Sequence, residues 1–260
     1  MPKQKTLNVI NMGRWAYGKA WEFQKQLHAR RLADEIPDTL ILVEHSPVYT
    51  LGKNADGRHL LVGQEYLSAR GIAVFQVDRG GDITYHGPGQ LVGYPIFNLK
   101  GHRESIGWLI HTVEEALIGM LAEFRIVAGR APKLTGVWVG DRKIAAIGMR
   151  VARWVTMHGF ALNVSTDLSY YAGIVPCGLV DRGVTRMIDL NPAVKWDEVV
   201  KSTVRHFVHC FDFAKVIFTE PPASYTLQPT TTDPHRATAD VQDIPTKIPT
   251  DIVLEKTECR

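Results

Sequence analysis

Residues 79–99 bring several residue types that can do chemistry into one short stretch. Two glycine clusters, Gly80-Gly81 and Gly87-Pro88-Gly89, break the backbone there. Polar side chains accompany them: Tyr85, His86 and Gln90. Glycines let the main chain approach a ligand closely and point N–H groups at it. The stretch therefore predicts a binding loop on a sheet edge, facing a carbonyl or another polar group, with an ordinary glycine-rich hairpin as the alternative.

Cys177 is the candidate nucleophile, because Pro176 and Gly178 frame it on a predicted loop. Such a turn presents a thiol, whereas Cys210 falls in the apolar run 208–211 and is predicted to be structural. A free thiol has a pKa of about 8.5 and is only about 3% thiolate at pH 7. A nucleophilic Cys177 therefore requires a base or a cation nearby, and an inert thiol is the alternative.

Lys143 is the candidate partner, since it begins the otherwise apolar strand 143–148. An ammonium ~4 Å from a thiolate stabilises it by about 4 kcal/mol at an effective dielectric constant of about 20. That would lower the pKa of the thiol by up to about three before desolvation is counted. Cysteine and lysine could then share a proton near neutral pH, and a surface lysine at a hairpin corner is the alternative.

The elements that must position these residues follow from hydrophobic periodicity and turn signals. Helices are predicted over residues 15–36, 105–124 and 197–213, strands over 7–11, 39–44, 82–85, 91–99, 134–139, 143–151 and 153–164, and a turn with a strand over 45–52. On the second helix, one apolar face is predicted to point inward: Ile106, Leu109, Ile110, Val113, Leu117, Leu121 and Phe124. Trp108 and His111 fall off that face and are predicted at the surface or rim. His45 could either cap a turn or belong to the site.

Composition limits the class of protein. The 260 residues carry a formal net charge of +3, which does not indicate a dedicated nucleic-acid binder but suits an acidic protein partner. Three cysteines without C-x-x-C spacing make a disulfide framework or a zinc site improbable and favour a reducing cytoplasm. There is neither a signal-peptide core nor an apolar run of transmembrane length. No nucleotide fingerprint, G-x-G-x-x-G or G-x-x-x-x-G-K-[ST], occurs.

Four separated segments resemble the lipoyl(octanoyl) transferases, the lipoate–protein ligase B family: residues 79–95, 143–148, 158–163 and 176–178. Residues 45–52 also match the family's segment before the glycine-rich loop. Their order and spacing agree with the family from about residue 7 to about residue 215. The resemblance implies an α/β (α+β) fold, a mixed β-sheet flanked by helices like that of biotin and lipoate ligases. It assigns residues 1–218 to a catalytic domain. Residues 219–260, rich in Pro and Thr, are expected to form a disordered or loosely docked tail.

The resemblance also implies the reaction. An octanoyl group passes from octanoyl-acyl carrier protein to a lysine of lipoyl domains, those of 2-oxoacid dehydrogenases and the glycine cleavage H protein, without a metal, another cofactor or ATP. No nucleic acid or membrane takes part. By the same resemblance Cys177 accepts the acyl group and Lys143 lowers its pKa. The implied substrate-binding residues are Arg79, Gly80, Gly81, Asp82, Ile83, Thr84, Tyr85, His86, Ala146, Ile147, Gly148, Gly159, Phe160 and Ala161.

Three alternatives stay open at this point. An ATP-dependent lipoate or biotin ligase would share the fold but activate a free acid. A thioesterase would form the same acyl-enzyme and admit water. A carrier-binding module without activity would need neither Cys177 nor Lys143.

Overall fold

The computed structural model describes residues 5–55, 57–175 and 183–222. The strands in that part of the chain are β1 (Thr6–Trp15), β2 (Asp38–His45), β3 (Val48–Leu51), β4 (Ala73–Gln76), β5 (Ile83–His86), β6 (Gln90–Ile96), β7 (Gly129–Ala131), β8 (Leu134–Val139), β9 (Arg142–Ala152), β10 (Val155–Asn163) and β11 (Lys215–Phe218). The helices are α1 (Tyr17–Leu32), α2 (Gln64–Ala69), α3 (Ile106–Glu123), α4 (Met187–Leu190) and α5 (Trp196–Cys210), with 3₁₀ turns at Gly57–His59, Leu99–Gly101 and Leu168–Gly173.

Eight strands form a mixed sheet in the order β11-β1-β2-β6-β10-β9-β8-β7. β1 runs parallel to β2 and β11, and the other neighbours are antiparallel. A smaller sheet has the order β4-β3-β5. The mixed sheet flanked by helices confirms the predicted fold class.

The central strand β2 explains why helices cover both faces of the large sheet. Successive side chains of a strand point to opposite faces. Leu40 and Leu42 join the core beneath α3 and α5, whereas Ile41 and Val43 join the core beneath α1. All four side chains are at most 1% exposed. A near-continuous apolar run in the sequence thus becomes a strand buried on both sides.

Helix α3 begins where the Ser105 side chain accepts a hydrogen bond from the backbone N–H of Trp108 at 3.2 Å. Its predicted inward face is largely confirmed: Leu109, Val113, Leu117 and Leu121 are fully buried. The prediction was wrong at Ile106, which lies in the first turn, beyond the core, and is 55% exposed. Trp108 is half-buried against Phe211, while His111 is exposed.

Every predicted helix and strand is present, but several bounds and short elements differ. α1 ends at Leu32, before the predicted end at residue 36, and Asp34 takes a left-handed conformation with φ of 59°. β1 continues to Trp15 through an irregular register after Asn11. The sequence prediction lacked α2, α4, β4, β7 and β11, because three to six residues carry too little periodicity to identify an element. None of the helices in the described part of the chain is long and apolar enough to cross a membrane. The boundary at residue 218 stays a prediction.

Close packing of β6 against β10 depends on glycine. A Cβ atom added to Gly159 would lie 2.0 Å from the carbonyl oxygen of Gly93 and 2.8 Å from Cδ of Pro95. Backbone atoms cannot move aside cheaply, so only glycine fits there.

We expect Gly159→Ala to lower the free energy of unfolding by about 1–3 kcal/mol, because the added methyl group forces the two strands apart. Chemical denaturation of the folded protein measures this. Gly63→Ala is the matched control, since its Cβ would meet no described atom within 4 Å. Equal stability of the two variants would contradict the close contact.

Candidate active site

A cavity of about 380 Å³ lies where the loop before β5 meets β9 and β10. Every predicted site residue lines it except Tyr85 and Cys177. Cys177 lies outside the described residues. The substrate-binding roles of the lining residues stay predictions, but the structure brings those residues together around one space.

Residues 79–82, the glycine loop, are fixed between two strands. On one side the N–H of Gly80 donates to the carbonyl of Met149 on β9 at 2.9 Å. On the other side Lys53 and Asn54, just after β3, donate their N–H groups to the carbonyls of Arg79 and Gly81. Gly81 has φ of 88°, a conformation that favours glycine. The loop therefore forms a rigid wall of the cavity.

Arg79 is 7% exposed and anchors this loop from within. Its Nη2 donates to the carbonyl oxygen of Thr50 at 2.6 Å and to the Thr50 hydroxyl oxygen at 2.9 Å. Its Nη1 donates to the carbonyl of Gly80 at 3.0 Å. Gly148 lies directly opposite, and a Cβ atom there would come within 2.7 Å of the same Gly80 carbonyl. The absence of a side chain at Gly148 thus permits the contact between loop and strand.

His86 is buried at the inner part of the cavity. Its Nδ1 is 2.9 Å from Oε1 of Gln90, and the Gln90 amide donates to the carbonyl of Tyr85 and to Oδ1 of Asn163. Because an amide oxygen only accepts, Nδ1 of His86 carries the proton. Burial, with a smaller contribution from the neighbouring His45, lowers the pKa of His86 well below its usual value, so the ring is neutral at pH 7.

His45 supports the cavity from behind and is not among its lining residues. Its Nδ1 donates to the carbonyl of Trp15 at 2.9 Å, and its Nε2 accepts from the hydroxyl of Tyr94 at 2.7 Å. Burial lowers the pKa of His45 to about 4. The structure thus supports neither of the two sequence interpretations of His45, a turn cap or a place in the cavity wall. His45 instead accepts a hydrogen bond from Tyr94, which lines the cavity.

His158 is a lining residue that the sequence prediction left out of the site, although it begins the 158–163 segment. It takes φ of 60° within β10, and its Nε2 donates to Asp78 at 2.7 Å. Burial lowers the pKa of His158 to about 4 despite the opposing effect of Asp78. Arg150 binds the other oxygen of Asp78 at 3.1 Å. The remaining unpredicted lining residues are Tyr17, Val92, Tyr94, Ile106, Ile110, Lys133, Leu134, Thr135, Met149 and Val151.

Tyr85 faces away from the cavity, contrary to its expected place among the substrate-binding residues. Its ring stacks on Tyr170 with centroids 4.7 Å apart and meets Tyr49 edge-on at 5.9 Å. Alternation along β5 explains this, since Thr84 and His86 line the cavity and Tyr85 lies between them on the opposite face. Ile83 shares the core of Tyr85 and borders the cavity at the start of the strand. Its role is to fill the core beneath the smaller sheet.

Lys143 lines the cavity near the start of β9. Its N–H donates to the carbonyl of Gly183, and its carbonyl accepts from the N–H of Thr185, both at 3.0 Å. Its ammonium lies 4.9 Å from the ring centroid of Trp138. The chain that directly follows residues 176–182 is therefore bonded to the backbone of Lys143.

Among residues 5–55, 57–175 and 183–222, no three His, Cys, Asp or Glu side chains cluster as metal ligands would. The cavity wall instead combines a fixed glycine loop, neutral imidazoles and one half-buried amine. That arrangement leaves space for an apolar ligand beside Lys143.

A family model described as the lipoyl protein ligase A/B catalytic domain matches residues 16–208. The chain belongs to this family. Among curated relatives, the octanoyltransferase of Solibacter usitatus is 53% identical over 202 residues, which cover 78% of this chain and 91% of that protein. The octanoyltransferase of Gloeobacter violaceus is 48% identical over 204 residues, covering 78% and 89%. Within the lipoyl protein ligase A/B family, this chain is thus an acyltransferase of the octanoyltransferase group, as the resemblance implied.

Solved structures of the family share the fold. Lipoate-protein ligase A bound with ATP superposes with a TM-score of 0.66 at 19% identity, covering 84% of this chain and 89% of that one. The bipartite lipoate protein ligase of Thermoplasma acidophilum gives a TM-score of 0.64 at 18% identity, covering 82% and 86%. At such identities the likeness concerns the fold alone.

The buried neutral histidines make stability depend on pH. The pKa of His45 is about 4 in the folded protein and about 6.5 in an unfolded chain, so the unfolded state binds more protons between these values. The free energy of unfolding should therefore fall as the pH drops from about 6.5 towards 4, by up to ~1.4 kcal/mol per pH unit for each such histidine.

Replacing His45 with Asn should flatten this dependence while lowering stability overall, because the Tyr94 hydroxyl loses its acceptor. Denaturant unfolding at a series of pH values between 7 and 5 is the measurement. His111→Asn, at an exposed position on α3, should leave the slope as in the wild type. An unchanged slope in His45→Asn would show that His45 does not contribute to the pH dependence.

Proposed function

We propose that this enzyme transfers an octanoyl group from octanoyl-acyl carrier protein to a lysine of lipoyl domains, through a thioester on Cys177. Octanoyl transfer in protein lipoylation follows from its kinship with the octanoyltransferases. Our proposal adds three points. The donor is the acyl carrier protein, the acceptors are the lipoyl domains of 2-oxoacid dehydrogenases and the glycine cleavage H protein, and the intermediate is a thioester on the cysteine.

The observation that carries the proposal is the position of Lys143. This lysine lines the cavity, and its backbone is bonded to Gly183 and Thr185, which follow Cys177 closely in the chain. On the other flank the N–H of Val175 donates to the carbonyl of His59 at 2.9 Å. His59 in turn contacts Asp82, a residue of the glycine loop. Both chain ends that lead to Cys177 are therefore fixed next to the cavity, which supports a thiol at its edge.

In the first half-reaction Lys143 takes the thiol proton and the Cys177 thiolate attacks the carbonyl carbon of the donor thioester. A new C–S bond forms to Cys177, the bond to the carrier sulfur breaks, and the carrier thiolate takes the proton back from Lys143. One thioester replaces another, so the free energy changes little. The octanoyl chain occupies the cavity.

In the second half-reaction the acceptor lysine amine attacks the octanoyl thioester. The amine must lose a proton as the amide bond forms, and neutral Lys143 accepts it. The Cys177 thiolate leaves and regains its proton. Amide formation from a thioester is favourable, so neither ATP nor a metal is required.

The developing oxyanion needs main-chain N–H donors, which a glycine-rich loop can provide. Gly80 is excluded from this role, because its N–H already donates to Met149.

The free thiol required for the reaction fits a reducing compartment, and the proposal therefore places the enzyme in the cytoplasm.

The reaction can be tested directly with octanoyl-carrier and a lipoyl domain in the absence of ATP. We expect the acceptor mass to rise by one octanoyl group, and we expect Cys177→Ala to abolish this while melting as the wild type does. Cys210→Ala is the control and should retain transfer, since Cys210 ends α5 away from the cavity. Turnover by a folded Cys177→Ala protein would reject the thioester, and a strict need for ATP would indicate a ligase.

Lys143→Arg separates the two proposed roles of the lysine. A guanidinium still stabilises a thiolate, whose proton then passes to solvent, but it stays protonated and cannot accept a proton from the acceptor amine. We expect octanoyl-enzyme to accumulate and to be discharged only slowly when lipoyl domain is added, as seen by intact mass. Arg142→Lys is a neighbouring control on the exposed start of β9. Normal rates for both steps in Lys143→Arg would remove Lys143 from the mechanism.

A further inference from the structure

The cavity is open at one end and closed at the other. The open end is lined by three exposed residues, Ile106, Lys133 and Thr135. Ile106 is 55% exposed. At the other end Tyr94 is 3% exposed and His158 is 1% exposed. A chain that enters beside Lys143 therefore meets either solvent on the Ile106 side or a closed wall on the Tyr94 side.

The floor of the closed end is built from small residues. Strand pairing places Gly148 beside Gly159, and Ala146 beside Ala161. These residues line the cavity and leave space above the sheet. The neighbouring strand β6 continues the second row, since Val92 pairs with Ala161.

Tyr94 is the one large side chain that continues these rows on β6. It follows Gly93 in the strand, so it lies beside Gly159 at the end of the Gly148 row. Its side chain joins the core on the α1 face of the sheet, as do those of Val92 and Ala161. An aromatic ring beside two glycines is thus the first bulky obstacle along that row.

Hydrogen bonding fixes this ring. The Tyr94 hydroxyl donates to Nε2 of His45 at 2.7 Å, and Nδ1 of His45 donates to the Trp15 carbonyl at 2.9 Å. His45 is fully buried behind the cavity, so the polar end of Tyr94 is bonded away from it. The ring carbons remain for contact with a ligand. A wall that cannot move is what a pocket needs to discriminate between chains of different length.

We infer that Tyr94, held by His45, is the wall that sets the length of the acyl chain this enzyme accepts. The inference rests on the proposed function, because it takes the cavity to hold the acyl group. His45 acts as a positioning residue through Tyr94. A chain that instead ran towards Ile106 would project into solvent, and its length would not be restricted.

The test compares small acyl thioesters of six, eight, ten and twelve carbons as donors to a lipoyl domain. Tyr94→Leu should raise the kcat/KM of the twelve-carbon donor relative to the eight-carbon donor by at least about tenfold, because the wall recedes. Ala161→Val adds volume to the floor and should shift preference in the opposite direction, towards six carbons, by about tenfold. Thermal melting establishes that each variant is folded.

Tyr49→Leu is the matched control. Tyr49 is also fully buried and hydrogen-bonded through its hydroxyl, but it does not line the cavity. It should destabilise the protein without changing the ratio between donors. If Tyr94→Leu does not fold, Ala161→Val decides by itself.

Unchanged ratios in Tyr94→Leu and Ala161→Val, with the wild type transferring octanoyl groups, would overturn the inference and leave the proposed function intact. A shift in Tyr49→Leu equal to that in Tyr94→Leu would also overturn it. No transfer of any acyl chain by the wild type would instead reject the proposed function.

Discussion

The close contact between the glycine loop and the edge of β9 is the constraint on which the site depends. Gly80 donates its N–H to the Met149 carbonyl. Gly148 lies so close to the Gly80 carbonyl oxygen that a Cβ atom on Gly148 would not fit. Arg79 fixes the same loop to Thr50 from inside the protein. Without this contact the larger and smaller sheets would not enclose a cavity between them.

The buried histidines in and behind the cavity wall add no charge to it. Burial keeps His45, His86 and His158 neutral at pH 7, and fixed partners determine which ring nitrogen of each carries the proton. Neutral rings and small residues cost little free energy to cover with a hydrocarbon chain, and the guanidinium of Arg79 is hydrogen-bonded to Thr50 and Gly80. The same burial makes these histidines a source of acid sensitivity.

The proposed chemistry at Lys143 and the proposed selectivity at Tyr94 lie in different parts of one cavity. Lys143 lies where the backbone after residue 182 joins β9, and its surroundings are held by the buried carboxylate of Glu114, which accepts from the N–H of Gly136. Gly136 in turn lies against the Lys143 side chain. Tyr94 closes the opposite end through a separate hydrogen-bonding network. The length of acyl chain that the enzyme prefers could therefore change without disturbing the reacting groups.

The sequence alone determined the main helices and strands, because hydrophobic periodicity is a local property of the chain. Its local motifs carried the resemblance to the lipoyl(octanoyl) transferases, which implied the fold class and many of the residues around the cavity. It could not predict that Tyr85 faces the core, since the face that a short strand presents depends on its partners. Nor could it identify Tyr17, Tyr94 and His158 as lining residues, which α1, β6 and β10 bring together from distant parts of the chain. His45 was ambiguous in sequence for the same reason. Only tertiary structure decided its role, because a buried imidazole acts through whichever groups the fold places at its two nitrogens.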